Sequence, residues 1–201
     1  MIGQAALVLF GYLLGAVPFG YLAGRARGVD LRREGSGNTG GTNAIRVLGA
    51  RWGVPALILD VAKGSAAVLA AEQAGGLGLA VLAGTAAVLG HTFPVFLGFG
   101  GGKGVATAAG ATLALLPWLT LALLAVWIVM VLLTRYVSVA SITIAVGLVV
   151  GVFALPQPWS VRGYGAFASG MVLWRHRGNV ARLRAGTEHR VNLRRRPAAG
   201  T

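Results

Sequence analysis

Cysteine is absent from the 201 residues. That excludes disulfides, thiolate metal sites and a cysteine nucleophile. Charge is scarce. Asp, Glu, Lys and Arg make up 11% of the chain, against roughly 25% in soluble globular proteins, too little to cover a water-facing surface. Acidic residues are scarcer still, five against eighteen Lys and Arg. The three histidines, His91, His176 and His189, lie far apart with no carboxylate at a ligand spacing, so no metal site is expected. Seven prolines beside 32 glycines, without a three-residue period, exclude a collagen-like chain. What is abundant is apolar. At 56% hydrophobic residues and a mean hydropathy of +0.73, the chain is too apolar for disorder, and its class is an integral membrane protein.

The charge-free run Ile2 to Gly24 is 23 residues long, enough to cross a hydrocarbon core of ~30 Å. It has no basic leader segment and is not expected to be cleaved. Gly11 and Gly15, and Gly20 and Gly24, are spaced for close helix contact. A second run, about Trp52 to Ala71, carries Asp60 and Lys63, which share a helix face and read as a structural pair turned to the interior. A third runs from Leu77 to Phe99. Val105 to Leu133 is long for one span, and Pro117-Trp118 divides it into two short ones. Val137 to Leu155 and Gly163 to Trp174 complete the set.

Charge decides how the divided stretch is counted. With seven spans, the basic loop 25–51, Lys103, Arg135 and the arginine-rich tail fall on one side, sixteen of the eighteen cations, and Arg162 stands alone opposite. Basic residues concentrate on the cytoplasmic side. The sequence therefore predicts an all-α integral membrane protein of seven transmembrane helices, N-terminus outside and C-terminus inside. Residues 1–190 form one domain, and 191–201 a basic, disordered cytoplasmic tail. The same cations could suggest nucleic acid, but they flank apolar spans, so no nucleic-acid partner is expected.

This topology gathers three polar segments on the cytoplasmic face. Gly35 to Gly40 spells G-x-G-x-x-G, but no strand precedes it and the dinucleotide reading is rejected. Its physical content remains: glycines let backbone N–H groups converge on an anion. Thr42 is expected to cap a short helix through Leu48 whose N-terminus favours phosphate, with Asn43 and Arg46 on one face. The second segment, His91 to Thr107, holds Gly100-Gly-Gly-Lys103-Gly104. It is no Walker A loop, since Gly104 stands where Ser or Thr is required, but a lysine among glycines suits an anion. The third, Arg175 to Glu188, places His176 and Asn179 on one helical face near Arg182, with Gly186 as the stop signal. Ser138 and Ser141 open the sixth span. Together these pieces imply a phosphate-bearing ligand at the inner membrane surface.

The runs Ser36 to Asn43, His91 to Thr107 and Arg175 to Glu188 resemble the three motifs of the bacterial acyl-phosphate:glycerol-3-phosphate acyltransferases, and Asp60-Val-Ala-Lys63-Gly64 is similar too. The likeness extends from residue 1 to about 190. One departure is Gly41, where the family more often has alanine, a change expected to alter loop stiffness and hardly the chemistry. The resemblance implies transfer of a fatty acyl group from acyl phosphate to the 1-hydroxyl of glycerol-3-phosphate. The products are lysophosphatidate and inorganic phosphate, and no cofactor or metal takes part. Its setting would be the bacterial inner membrane, among membrane lipid, where a partner enzyme supplying acyl phosphate would complete the set. The His-x-x-x-x-Asp device of other lipid acyltransferases is missing: Phe96, Ala181 and Arg194 follow the three histidines at that spacing.

Roles are expected accordingly. Ser36, Gly37, Asn38, Gly40, Thr42, Asn43 and Arg46 hold a phosphate, and Gly102, Ser141, Arg177 and Arg182 add contacts. Lys103 neutralises the departing phosphate or the developing oxyanion. His176, oriented by Asn179, positions the acceptor hydroxyl or takes its proton, with the donor's own phosphate as the alternative base. Two rivals remain. A transporter of a phosphorylated solute would show internal repeats, and none is found. An acyl-CoA-dependent acyltransferase would differ in its donor alone.

Overall fold

The computed structural model describes residues 2–191; the expected tail falls, from 192 on, outside the described residues. Among the described residues every regular element is helical and there is no strand. Four helical stretches are long and apolar enough to cross a membrane: Ile2–Ala26, Ala50–Leu97, Pro117–Thr134 and Val137–Ala154. A shorter apolar helix, Val105–Leu115, accompanies them.

The first apolar run is two helices, α1 (Ile2–Ala16) and α2 (Phe19–Ala26). Pro18 causes the break, because it has no N–H to continue the ladder. The short helix expected after the glycine loop is α3 (Gly41–Leu48). Gly40 stands at its cap and no side chain closes it, so Thr42 is an exposed first-turn residue and not the cap. Helix α4 (Ala50–Thr92) contains both the second and third runs and doubles back at Gly75–Gly76, where Gly76 has φ 72°. That left-handed conformation is open to glycine at little cost. The arms 50–74 and 77–92 are antiparallel. Val68 meets Gly84 across the pair, and Asp60 meets His91. The helix ends at Thr92, short of the expected Phe99, because Pro94 follows and a 3-10 turn (Val95–Leu97) leads into the glycine turn.

Pro117 divides the ambiguous stretch as expected. It is the first residue of α6 (Pro117–Thr134), after α5 (Val105–Leu115). Proline fits there because the first N–H of a helix has no partner to lose. Helix α6 buries no residue, which suits a helix facing lipid. Then come α7 (Val137–Ala154), α8 (Trp159–Arg175) and α9 (Arg177–Arg184). Helix α8 begins four residues before the expected Gly163.

Glycine lets the helices approach to backbone contact, the packing device of apolar bundles. Gly11 and Gly15 of α1 lie on Ala83 and Ala87 of the returning arm, as their spacing predicts. Gly64 and Gly110 join α4 to α5, through Thr107 and Val61. Gly41 is a further case. A Cβ there would stand 2.7 Å from the Leu57 Cβ and 2.9 Å from its Cα. The glycine sets how closely α3 packs on α4, which a reading of loop stiffness alone does not capture. At the centre, Tyr164 is buried among α5, α7 and α8 and donates its hydroxyl to the Ala108 carbonyl, 3.0 Å.

Candidate active site

One side chain makes most of the long-range contacts that fold the loop 27–40. Asn43, buried at the start of α3, donates from its amide to the carbonyls of Leu31, Glu34 and Asn38 at 3.3, 3.0 and 2.9 Å. Its Oδ1 accepts from the Ser36 N–H at 2.9 Å and the Arg46 guanidinium at 3.1 Å. Asn38 turns the next corner, its Oδ1 accepting from the Gly40 N–H at 2.9 Å. With its amide so engaged, Asn43 shapes the loop, and Ser36, Gly37 and Asn38 are the loop residues that face the cleft.

Those three residues form one wall of a cleft of about 390 Å³. The glycine turn forms a second wall with Gly100, Gly101 and Lys103, and the α8–α9 corner a third with Arg175, Gly178, Asn179 and Arg182. Arg32 lies at the edge. Helices α5 and α9 both begin beside this cleft, at Gly104 and Arg177. Their free N–H groups add partial positive charge to the cations.

Lys103 is central. Its ammonium donates to Asn179 Oδ1 at 2.6 Å. Burial pushes its pKa down to about 8, Glu188 opposes the fall, and the charges of Arg182, Arg46 and Arg175 add to it. Arg175 holds the turn from the other side, donating to the carbonyls of Gly102 at 3.1 Å and Gly101 at 2.8 Å. Asn179 Nδ2 donates to Glu188 Oε1 at 2.6 Å, and Arg182 Nε to Glu188 Oε2 at 2.7 Å. Burial alone would raise the Glu188 pKa, but the hydrogen bonds from Asn179 and Arg182 and the charge of Arg182 hold it below the usual glutamate value.

His176 sits at the α8–α9 corner, buried, and does not line the cleft. Its Nδ1 lies 2.8 Å from the Val172 carbonyl, which makes that nitrogen the protonated one. Burial, then the charge of Lys103, push its pKa down to about 4. Asn179 does not orient it, since both ends of that amide are engaged elsewhere.

The expected site residues therefore separate. Ser36, Gly37, Asn38, Lys103, Asn179 and Arg182 share the cleft. Gly40, Asn43 and Gly102 lie behind its walls as scaffold, and Arg46 reaches its neighbourhood through Asn43. Thr42 is exposed on α3. Ser141 is buried on α7, where it accepts from Trp127 Nε1 at 3.4 Å. Arg177 turns away, stacked 4.4 Å from the Trp174 ring centroid. The sequence reading missed Arg32, Arg175 and Glu188. Arg32 is paired with Asp30 at 2.7 Å. Arg175 and Glu188 bound the third motif, and their position at its ends was the available signal. A second cleft, apolar and about 290 Å³, lies between the α1–α2 break and the 3-10 turn, lined by Val17, Pro18, Tyr21, Leu22, Phe96 and Leu97.

The family model described as glycerol-3-phosphate acyltransferase matches residues 5–186. The glycerol-3-phosphate acyltransferase of Aquifex aeolicus (strain VF5) is 44% identical over 186 residues, covering 92% of this chain and 97% of that protein. That of Synechococcus sp. (strain CC9902) is 45% identical over 193 residues, covering 95% and 96%. The crystal structure of PlsY, an integral membrane glycerol 3-phosphate acyltransferase, superposes in its glycerol 3-phosphate form with a TM-score of 0.92 at 42% identity, covering 94% of this chain and 96% of that one. Its lysophosphatidic acid form gives 0.88 at 41% identity with the same coverage.

Proposed function

The chain belongs to the glycerol-3-phosphate acyltransferase family, and from that membership we propose that it transfers a fatty acyl group from acyl phosphate to the 1-hydroxyl of sn-glycerol-3-phosphate. The products are lysophosphatidate and inorganic phosphate, the first acylation of phospholipid synthesis. The observation that carries this reading is the concentration of Lys103, Arg175 and Arg182 with two glycine loops around one cleft. A donor phosphate and an acceptor phosphate side by side need several cations, which an acyl-CoA thioester carbonyl by itself does not. The apolar cleft beside Val17 and Phe96 suits the acyl chain.

In the reaction, the 1-hydroxyl oxygen attacks the acyl carbonyl carbon. The bond from that carbon to the phosphate oxygen breaks, and phosphate departs with the electron pair. The hydroxyl proton passes to the departing phosphate. The low basicity of His176, with Nδ1 held by Val172, supports the phosphate over the imidazole as acceptor. Lys103 stabilises the charge that develops on the carbonyl or the departing phosphate, and Asn179 holds its ammonium in place. Arg46, Arg182 and the loop Ser36 to Asn38 hold substrate phosphate.

The setting is a bacterial inner membrane with the cleft on the cytoplasmic face. Seven spans are read as α1 with α2, the two arms of α4, α5, α6, α7 and α8, N-terminus outside and C-terminus inside. The gathering of the basic loop 25–51, Lys103 and the α8–α9 corner at one end supports that orientation. Purified protein with labelled glycerol-3-phosphate and either acyl phosphate, acyl-CoA or the acyl thioester of acyl carrier protein tests the donor. Lysophosphatidate should form with acyl phosphate alone, and formation only with a thioester donor would overturn the reading.

A further inference from the structure

Asp60, Lys63 and His91 lie outside the cleft, in a buried charged cluster of their own. Asp60 and Lys63 are buried to 1% side-chain exposure and His91 to 7%. Lys63 Nζ is 2.7 Å from Asp60 Oδ1 and donates to the Val17 carbonyl, also at 2.7 Å, where Pro18 interrupts the first span. It lies 5.5 Å from the Phe19 ring centroid. The same Asp60 oxygen is 3.5 Å from His91 Nδ1 on the returning arm.

The far edge of that imidazole meets the glycine turn. A Cβ on Gly102 would overlap His91 Nε2, and a Cβ on Gly101 would overlap the His91 carbonyl. The Gly102 N–H donates to that carbonyl at 3.1 Å. Lys103 is the next residue. The turn is thus held between two supports, the His91 backbone and ring below and the Arg175 guanidinium on its carbonyls. A buried ion pair is costly to desolvate and is weak grounds for stability alone. Here it has a direction, from the α1–α2 break through α4 to the residue that bears Lys103.

We propose that Asp60, Lys63 and His91 form a positioning brace that sets the height of the Gly101–Lys103 turn and so places the Lys103 ammonium in the cleft. None of the three lines the cleft. The kinetic consequence rests on the proposed use of Lys103, but the placement of Lys103 does not, and the test separates them.

The chain has two lysines, Lys63 and Lys103, and Lys63 is buried. Amine acetylation against pH on the intact purified protein in detergent, read by mass spectrometry at the Lys103 peptide so that the α-amino group, which titrates at ~8, is counted apart, therefore reports the Lys103 midpoint. The facing groups that bear on it are Glu188, Arg182, Arg46 and Arg175. Wild-type protein should give a midpoint of about 8. His91→Ala should move it toward the free lysine value of ~10.4 as water reaches the loosened turn, and should lower kcat far more than it changes KM for glycerol-3-phosphate. His91→Phe, which keeps a ring under Gly102, should restore most of both. Asp60→Leu with Lys63→Met removes the pair without stranding a charge and should shift the midpoint in the same direction as His91→Ala.

A folded His91→Ala protein with an unmoved midpoint and kcat within about twofold of wild type would overturn the brace. Should that variant fail to fold, His91→Asn decides by the same midpoint, since it keeps a donor toward Asp60 but withdraws the ring from Gly102. A wild type that forms no lysophosphatidate from acyl phosphate overturns the proposed donor, and the labelling midpoint then decides the brace by itself.

Discussion

Replacing Lys103 tests the site most directly. Its ammonium sits 2.6 Å from Asn179 Oδ1, in a cleft where burial and three guanidiniums bring its pKa down to about 8. The environment disfavours the charge in the empty site, so arriving phosphate, or negative charge forming on the acyl carbonyl, should be the partner that stabilises it. Removing such a charge-stabilising donor typically costs ~2.7–4 kcal/mol, or roughly 10²–10³ in kcat. Lys103→Met keeps the stem and removes the charge, and should lose that much. A lysine that only reached for the membrane surface would lose far less, since its stem supplies the packing. The sign of the pH dependence follows from the same value. The charged form dominates below pH 8 and disappears as pH rises through it, so kcat/KM should carry a basic limb near about 8. In Lys103→Arg that limb should vanish, because guanidinium stays charged, while kcat recovers only in part because a planar fork does not replace a compact ammonium. Labelled glycerol-3-phosphate with acyl phosphate, assayed between pH 6 and 9, reads both. A folded Lys103→Met protein with kcat within about threefold of wild type, or an identical basic limb in Lys103→Arg, would refute this role for the Lys103 charge.

Two further outcomes are expected. With its pKa at about 4, His176 is uncharged near neutrality, and a role as base would lose activity only as pH falls through that value. The wild type and His176→Gln should therefore share the same profile around the ordinary histidine value of ~6.5; a limb there that only the wild type shows would restore His176 as the base. Topology can be read with single cysteines because the chain has none: Ser36→Cys and Thr187→Cys should label from the same, cytoplasmic side. Labelling from opposite sides would overturn the seven-span orientation and the shared cleft together.

The membrane class was legible from composition, because a chain with so few charges has no other solvent. So were the break at Pro117, the short helix through Leu48 and the facing pair Asn43 and Arg46, all consequences of local backbone geometry over a few residues. The three motifs also marked the regions that meet. Position within a motif did not reveal which side chains reach the cleft. Arg177 lies inside the third motif and stacks on Trp174, whereas Glu188, at its end, bonds both Asn179 and Arg182. A one-residue step at a helix junction turns a side chain through a large angle, and only the corner between α8 and α9 decides which residue faces inward. The amide of Asn43 reads as a phosphate ligand by type, yet the path of the loop surrounds it with three carbonyls. Asp60 and Lys63 were visible as a pair at helical spacing. Their meeting with His91 depends on the reversal at Gly75–Gly76, and their link to the break at Pro18 on the packing of α1 and α2 against α4. Local spacing determines which residues share a helix face. The neighbour that face meets is set by how closely the helices approach, and in this chain that depends on glycines such as Gly41 and Gly102, whose missing Cβ atoms are explained only by the residues packed against them.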